Sequence, residues 1–191
     1  MTAKTGKCLI FSAPSGAGKT TIVHRLLALH DDIAFSVSAC SRPPRPNEIH
    51  GKDYYFFSVD SFKEKINQGA FIEWEEVYPN HFYGTLKKEI ERIWSEGKTV
   101  IFDVDVYGGI SLKNYFGKQA LSFFDDPPSI QILQERLRKR NTETEDKIKQ
   151  RIGKAEEELL LKNKFDCVVV NKDLNATVEE VEQIVKPFLA L

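Results

Sequence analysis

An α/β fold built on a parallel five-stranded sheet flanked by helices is predicted by three features of this 191-residue sequence. Short runs rich in Ile, Val and Phe alternate with helical apolar stripes, the order expected of strand-helix-strand units. A glycine-rich turn joins the first run to the first helix. Two segments interrupt the alternation, one β-rich and one highly charged, so the sheet is expected to carry a small insertion and a helical lid.

The first strand is Cys8 to Phe11, ended by a Ser/Pro/Gly turn and too short for a signal sequence or a membrane span. From Gly18 to His30, Ile22, Leu26 and Leu29 share one helical stripe, and Ile33 to Val37 reads as the second strand. The segment from Ser38 to Gly84 then holds RPPRP, YYFFSVD and FIEWEEV, with a short helix near Ser61 to Asn67, and reads as a small β-rich insertion. Leu86, Ile90, Ile93 and Trp94 form the next stripe, closed by Gly97. Thr99 to Val104, Ala120 to Phe124 and Cys167 to Val170 complete the buried strands. Thr142 with Glu145, and Thr177 with Glu180, have capping-box spacing and open helices from about Glu143 and about Val178. Between Asp126 and Ile152 charged residues dominate and little is left to bury, which suggests a mobile lid. A single domain is expected, with a core over residues 4–37, 95–126 and 157–191, an insertion over 38–90 and a lid over 127–156.

Lys and Arg number 27 against 28 Asp and Glu, so the net charge of −1 provides no footprint for unspecific binding to nucleic acid or an anionic membrane. Cys8, Cys40 and Cys167 are odd in number and far apart, which argues against disulfides and zinc and for a reducing cytoplasm. His24, His30, His50 and His81 lack metal-ligand spacing, and no obligatory protein partner is evident.

Ala13-Pro14-Ser15-Gly16-Ala17-Gly18-Lys19-Thr20 follows the first strand and matches the phosphate-loop pattern except that Ala13 replaces the first glycine. Gly16 and Gly18 let backbone N–H groups turn inward around phosphate oxygens, and the next helix points its positive end at the same anion. Lys19 reaches the β and γ oxygens in such loops, and the Thr20 hydroxyl suits Mg²⁺. Ala13 requires negative φ at its position, which a non-glycine residue adopts readily. This strand-loop-helix context predicts a P-loop NTPase-type sheet; the alternative is an ordinary glycine-rich turn.

Arg42 and Arg45 each precede a proline, which holds both in extended or polyproline conformation with a three-residue repeat. They project from one side and can grip one phosphate through bidentate bonds, with the Tyr54 and Tyr83 hydroxyls nearby. A solvated basic loop or a PxxP ligand are the alternatives. Glu73 is a carboxylate inside the apolar run FIEW and must be paired. Guanine offers two adjacent donors, N1–H and N2–H, that a carboxylate accepts together; a structural salt bridge is the alternative. Asp103 and Asp105 end a buried strand at the edge where ligands bind in parallel sheets. One suits Mg²⁺ through a bound water and the other the acceptor base, unless they serve as caps. Arg136 and Arg140 share a helix face, and Arg151 lies on the next helix. Arginines brought in by a closing lid would stabilise a migrating phosphoryl group, although a charged run of this kind can equally be a solvated face.

Together SAPSGAGKT, FSVSACSRPPRP, GKDYYF, FIEW, YGT, DVD, RLRKRNTETE and VVVN resemble guanylate kinases, in the same order from Cys8 to Asn171. The resemblance implies transfer of the γ-phosphoryl of ATP to GMP, and to dGMP, with Mg²⁺ and no covalent intermediate. It implies that Ser15, Gly16, Ala17, Gly18, Lys19, Thr20, Thr21 and Asn171 bind ATP, and that Thr20 and Asp103 serve the metal. Arg42, Arg45, Tyr54 and Tyr83 would hold the GMP phosphate, and Ser38, Glu73, Thr85 and Asp105 would surround guanine. Lys19, Arg136, Arg140 and Arg151 would act on the transferring group. The chain departs from the family pattern at Ala13, at Tyr107 where glutamine is common, and at Thr85 where serine is frequent. Two readings compete with this one: another small-acceptor kinase, and a related domain that binds partners without turnover.

Overall fold

The computed structural model describes residues 6–139 and 144–190; Arg140, Thr142 and the helix start expected near Glu143 lie outside the described residues. In chain order the first elements are β1 (Cys8–Ser12), α1 (Lys19–Leu29), β2 (Ile33–Phe35), β3 (Ala39–Cys40) and β4 (Tyr55–Phe56). Then come α2 (Val59–Asn67), β5 (Phe71–Tyr78), β6 (His81–Leu86), α3 (Lys87–Ser95) and β7 (Thr99–Val104). The last are α4 (Val106–Phe116), β8 (Ala120–Asp126), α5 (Ile130–Lys139), α6 (Glu145–Leu159), β9 (Cys167–Val170) and α7 (Leu174–Ala190). The predicted parallel five-stranded sheet is present, in the order β2-β7-β1-β8-β9, and a second sheet has the order β4-β3-β6-β5. No helix among the described residues is long and apolar enough to cross a membrane.

Contacts divide the chain into two compact units, one formed chiefly by Asp32–Val100 and the other by Lys7–Asp31 with residues 101–190. In the second unit, Cys8, Leu9, Ile10 and Phe11 of β1 are fully buried, and Phe11 stacks on Phe123 of β8 with ring centroids 4.7 Å apart. Burial on both faces explains why this strand reads as a continuous apolar run. Ile22, Val23 and Leu26 form the buried stripe of α1. Leu29, expected on that stripe, is 57% exposed because it is the last residue of the helix.

The charged segment after β8 buries more than its composition suggests. Leu133, Leu137, Ile148 and Ala155 are buried, and Leu133 and Ala155 pack with Ala13 and Ala17 of the glycine-rich loop. Each large apolar side chain so buried contributes roughly 1.5–3 kcal/mol, enough to seat α5 and α6 on the loop despite their polar outer faces. The helix expected from Val178 instead starts at Leu174. Asp173 caps it, accepting from Ala176 N at 2.9 Å, while the Thr177 hydroxyl donates to the Asp173 carbonyl from within the first turn. The side chain nearer the true helix start takes the orphan amide.

In the first unit, Phe62 stacks on Phe71 at 4.4 Å and on Phe82 at 5.6 Å, which fastens α2 to the small sheet. The strand β2 ends before Val37 because the Val37 N–H is taken by the Glu89 carboxylate at 3.2 Å rather than by a neighbouring strand. That carboxylate is buried on α3 and also accepts from the Tyr55 hydroxyl at 2.9 Å and from Arg92 Nε at 3.0 Å, so it positions the chain entering β3.

Candidate active site

The loop between β1 and α1 has the backbone that anion binding requires. Gly16 and Gly18 have φ of 98° and 122°, values that favour glycine, whereas Ala13 is not among the positive-φ residues, as its place in the motif requires. Ala17 N–H closes a turn onto the Pro14 carbonyl at 3.1 Å, and Thr21 N–H bonds the Gly18 carbonyl at 2.9 Å. A side chain at Gly18 would strike the Asn171 carboxamide, so that residue lies directly against the loop. The N-terminus of α1 opens at Lys19, which directs the free N–H groups and the helix dipole to the same place.

Lys19, Thr20 and Asp103 converge. Lys19 Nζ donates to Asp103 Oδ1, and the Thr20 hydroxyl donates to Asp103 Oδ2 at 2.6 Å. The hydroxyl and the carboxylate are hard oxygens suited to Mg²⁺. No group of three or more His, Cys, Asp or Glu among the described residues forms a protein-only metal cage. The Thr20 and Asp103 oxygens are the ones that could hold such an ion. Asp105 follows a different course: its Oδ1 caps α4 by accepting from Gly108 N–H at 2.8 Å, and its carbonyl accepts from the Ser12 hydroxyl at 3.1 Å.

Two of the lid arginines reach the loop. Arg136 donates from Nη1 to the Ala17 carbonyl at 2.5 Å and from Nη2 to the Asn171 carbonyl at 2.9 Å. Arg151 Nη1 donates to the Ser15 hydroxyl at 2.5 Å. The Asn171 amide nitrogen bonds the Ala17 carbonyl at 3.1 Å. The predicted donor-side residues are thus assembled around one loop, except Arg140, which lies outside the described residues. Thr21 contributes its backbone turn and an exposed side chain.

In the other unit, β5 and β6 pair so that Glu73 faces Thr85 and Glu75 faces Tyr83. The buried Thr85 hydroxyl donates to Glu73 Oε1 at 2.6 Å. Arg42 lies 4.9 Å above the Tyr54 ring and donates from Nε to the Tyr83 hydroxyl at 3.2 Å. Tyr54 and Tyr83 meet edge to face at 6.1 Å. Arg42, Tyr54 and Tyr83 are therefore gathered as the sequence suggested. Arg45 is exposed, and Ser38 stands just before β3, where its carbonyl accepts from Tyr55 N–H at 2.9 Å.

Glu48 was missed by sequence reasoning. Its carboxylate holds Arg42 through both oxygens, 2.6 Å to Nη1 and 2.7 Å to Nη2, and also accepts from Arg45 N–H at 2.6 Å. Hydrogen bonds from Arg42 first, and from the Arg45 backbone second, lower its pKa to about 2. An acid placed between two cations and a turn was the available signal. Asp125 was missed as well: it is fully buried at the end of β8, and burial pushes its pKa up to about 6. Like Glu73, Asp125 is a carboxylate standing in an apolar run.

A guanylate kinase family model matches residues 5–187 of the chain. The chain is 50% identical over 190 residues to the guanylate kinase of Bacteroides fragilis, covering 98% of this chain and 93% of that protein. Against the guanylate kinase of Porphyromonas gingivalis it is 48% identical over 185 residues, 96% of this chain and 98% of that one. Among solved structures it resembles the crystal structure of guanylate kinase from Anaplasma phagocytophilum, with a TM-score of 0.75 and 29% identity over 96% of this chain and 86% of that chain.

Proposed function

The chain belongs to the guanylate kinase family, and from that premise we propose which of its residues carry the transfer of a phosphoryl group from ATP to GMP. The activity is that of a nucleoside monophosphate kinase, with ATP as co-substrate and ADP and GDP as products. The observation that carries the residue assignment is the pairing of Glu73 with Thr85 on the same strands that present Tyr83 to Arg42. A carboxylate and a hydroxyl side by side match the N1–H and N2–H donors and the neighbouring acceptor edge of guanine. Arg42, Arg45 and the two tyrosines suit the monophosphate. Ser38 and one oxygen of Asp105 complete the base set in this reading.

On the donor side, residues 15–21 cradle the ATP phosphates through backbone N–H groups, and Asn171 lines the adenine subsite. Lys19 exchanges Asp103 for the β and γ oxygens. Thr20 and Asp103 would hold Mg²⁺, which would offset the charge of the nucleotide phosphates. Arg136, Arg140 and Arg151 neutralise charge on the migrating group, and transfer proceeds in line without a covalent intermediate, by positioning and electrostatics. Residues 38–90 serve as the acceptor insertion and 127–156 as the lid. The family likeness extends the proposed acceptors to dGMP. Its free thiols fit a reducing cytoplasm.

The test is a nucleotide panel with Mg-ATP. ADP formation is expected to depend on GMP and to be far slower with AMP, UMP or CMP. Faster turnover with any of these would refute the base assignment to Glu73, and turnover without an acceptor would favour a different reaction.

A further inference from the structure

The roles above leave Asp125 unused. It is fully buried on β8, and its Oδ1 has no hydrogen-bond partner among the described residues. Its Oδ2 faces the Asn171 amide nitrogen at 3.4 Å and lies close to Gly18. The charged groups that act on it are Arg136 from α5, Lys19 at the start of α1, and Asp126 beside it on β8. Lys19 is itself paired with Asp103, and Asp126 with Lys162 at 2.9 Å. Burial raises its pKa to about 6, against the pull of the Asn171 hydrogen bond and of Arg136 and Lys19, so at neutral pH it is mostly a carboxylate.

An amide nitrogen carries two N–H donors and an amide oxygen none. In Asn171 one donor goes to the Ala17 carbonyl at 3.1 Å and the other is aimed at Asp125. Turning the carboxamide over would set its oxygen against both of those oxygens. Ala17 alone is the weaker anchor, because its carbonyl already accepts from Arg136. With the nitrogen committed inward, the Asn171 oxygen is the atom left to accept from a ligand.

We propose that Asp125 locks the Asn171 carboxamide with its oxygen outward, and so makes the donor-base subsite select a purine with an amine at C6 over one with a carbonyl there. This rests on the reading that Asn171 lines the adenine subsite. The adenine amine donates to that oxygen, whereas a C6 carbonyl meets it lone pair to lone pair. Asp125 is therefore a positioning residue for donor choice.

The test compares ATP with inosine triphosphate, which has a carbonyl at C6, as donors to saturating GMP. Wild type is expected to prefer ATP at least ~10-fold in kcat/KM. Asp125→Leu is expected to narrow that ratio at least ~5-fold through KM for ATP, with KM for GMP unchanged. Asp125→Asn brings a donor beside its acceptor, tolerates the flipped carboxamide, and is expected to narrow the ratio part of the way. A second readout needs only wild type and Asp125→Asn. Below pH 6 the protonated Asp125 becomes a donor that tolerates the flipped carboxamide, so the wild-type ratio narrows on acidification towards that of the variant, which stays flat. The triphosphate's own titration cancels in the ratio. An unchanged ratio in folded Asp125→Leu, or superimposed pH profiles, overturns the proposal. If Asp125→Leu does not fold, the pH comparison decides. Asn171→Ala separates the two layers: full ATP preference in that variant refutes the adenine subsite itself. Loss of preference there, with retention in Asp125→Leu, refutes only the role of Asp125.

Discussion

The Arg42 guanidinium is held by both oxygens of the Glu48 carboxylate, at 2.6 and 2.7 Å, while its face covers the Tyr54 ring. Two further Arg42 donors go to the Tyr83 hydroxyl and the Pro43 carbonyl, so the side chain is fixed before any phosphate arrives. Glu48 also closes the loop by bonding Arg45 N–H. Glu48→Ala is expected to raise KM for GMP about tenfold, roughly 1.4 kcal/mol of lost preorganisation, with kcat little changed. Steady-state kinetics at saturating ATP checks this. A lower KM would mean that Glu48 competes with the phosphate rather than preparing its site.

Lys19 is paired with Asp103 and stands where the helix dipole and the loop amides converge. Lys19→Ala is expected to lower kcat by about 10³-fold, the scale of losing one preorganised charge partner in the transition state. Asp103 keeps the Thr20 hydroxyl, so the circular dichroism spectrum and the melting temperature are expected to stay close to wild type. Wild-type turnover in this variant would contradict the donor-side assignment.

Thr85 supports Glu73 from the facing strand. Glu73→Gln replaces one acceptor by a donor and is expected to raise KM for GMP about 100-fold, because a guanine N–H then meets an N–H. Thr85→Val is expected to cost about tenfold by the same measure, through a loosened Glu73. Comparing both variants with GMP and AMP tells loss of base reading from general damage: only the former changes the GMP-to-AMP ratio.

Asp125 predicts the sign of a stability change with pH. Its folded pKa, about 6, lies above the ordinary value of 3.8, so the folded state binds the proton more tightly than the unfolded chain. Stability therefore falls as pH rises from about 4 to about 6 and stays lower above that. The shift corresponds to roughly 3 kcal/mol at most, and Asp125→Asn removes it. The variant is expected to melt higher than wild type at pH 7.5, with a smaller advantage at pH 5, as read by thermal unfolding at both values. An advantage independent of pH would contradict the burial argument.

The sheet was legible in the sequence because strands buried on both faces, such as Cys8–Phe11, admit almost only apolar residues. The glycine-rich loop was legible because positive φ at Gly16 and Gly18 leaves little choice of residue. Polarity misled where it was averaged over a segment: α5 and α6 are charged overall, yet Leu133 and Ala155 seat them on the loop. The Thr177 capping spacing misled because Asp173, earlier in the chain, takes the orphan amide. Asp125 escaped notice because its partner Asn171 is distant in sequence and leaves no spacing to read, whereas Glu48, six residues from Arg42, left a local signal that was passed over. Nothing in the structure explains Tyr107, which is exposed on α4.

A crystal structure with GMP and a non-hydrolysable ATP analogue tests the site assignment most directly. Glu73 is expected within hydrogen-bond distance of guanine N1 and N2, with Arg42, Arg45, Tyr54 and Tyr83 on the monophosphate and the ATP γ-phosphate against Lys19. A guanine bound elsewhere, with Glu73 still engaged only by protein groups such as Thr85, would contradict it.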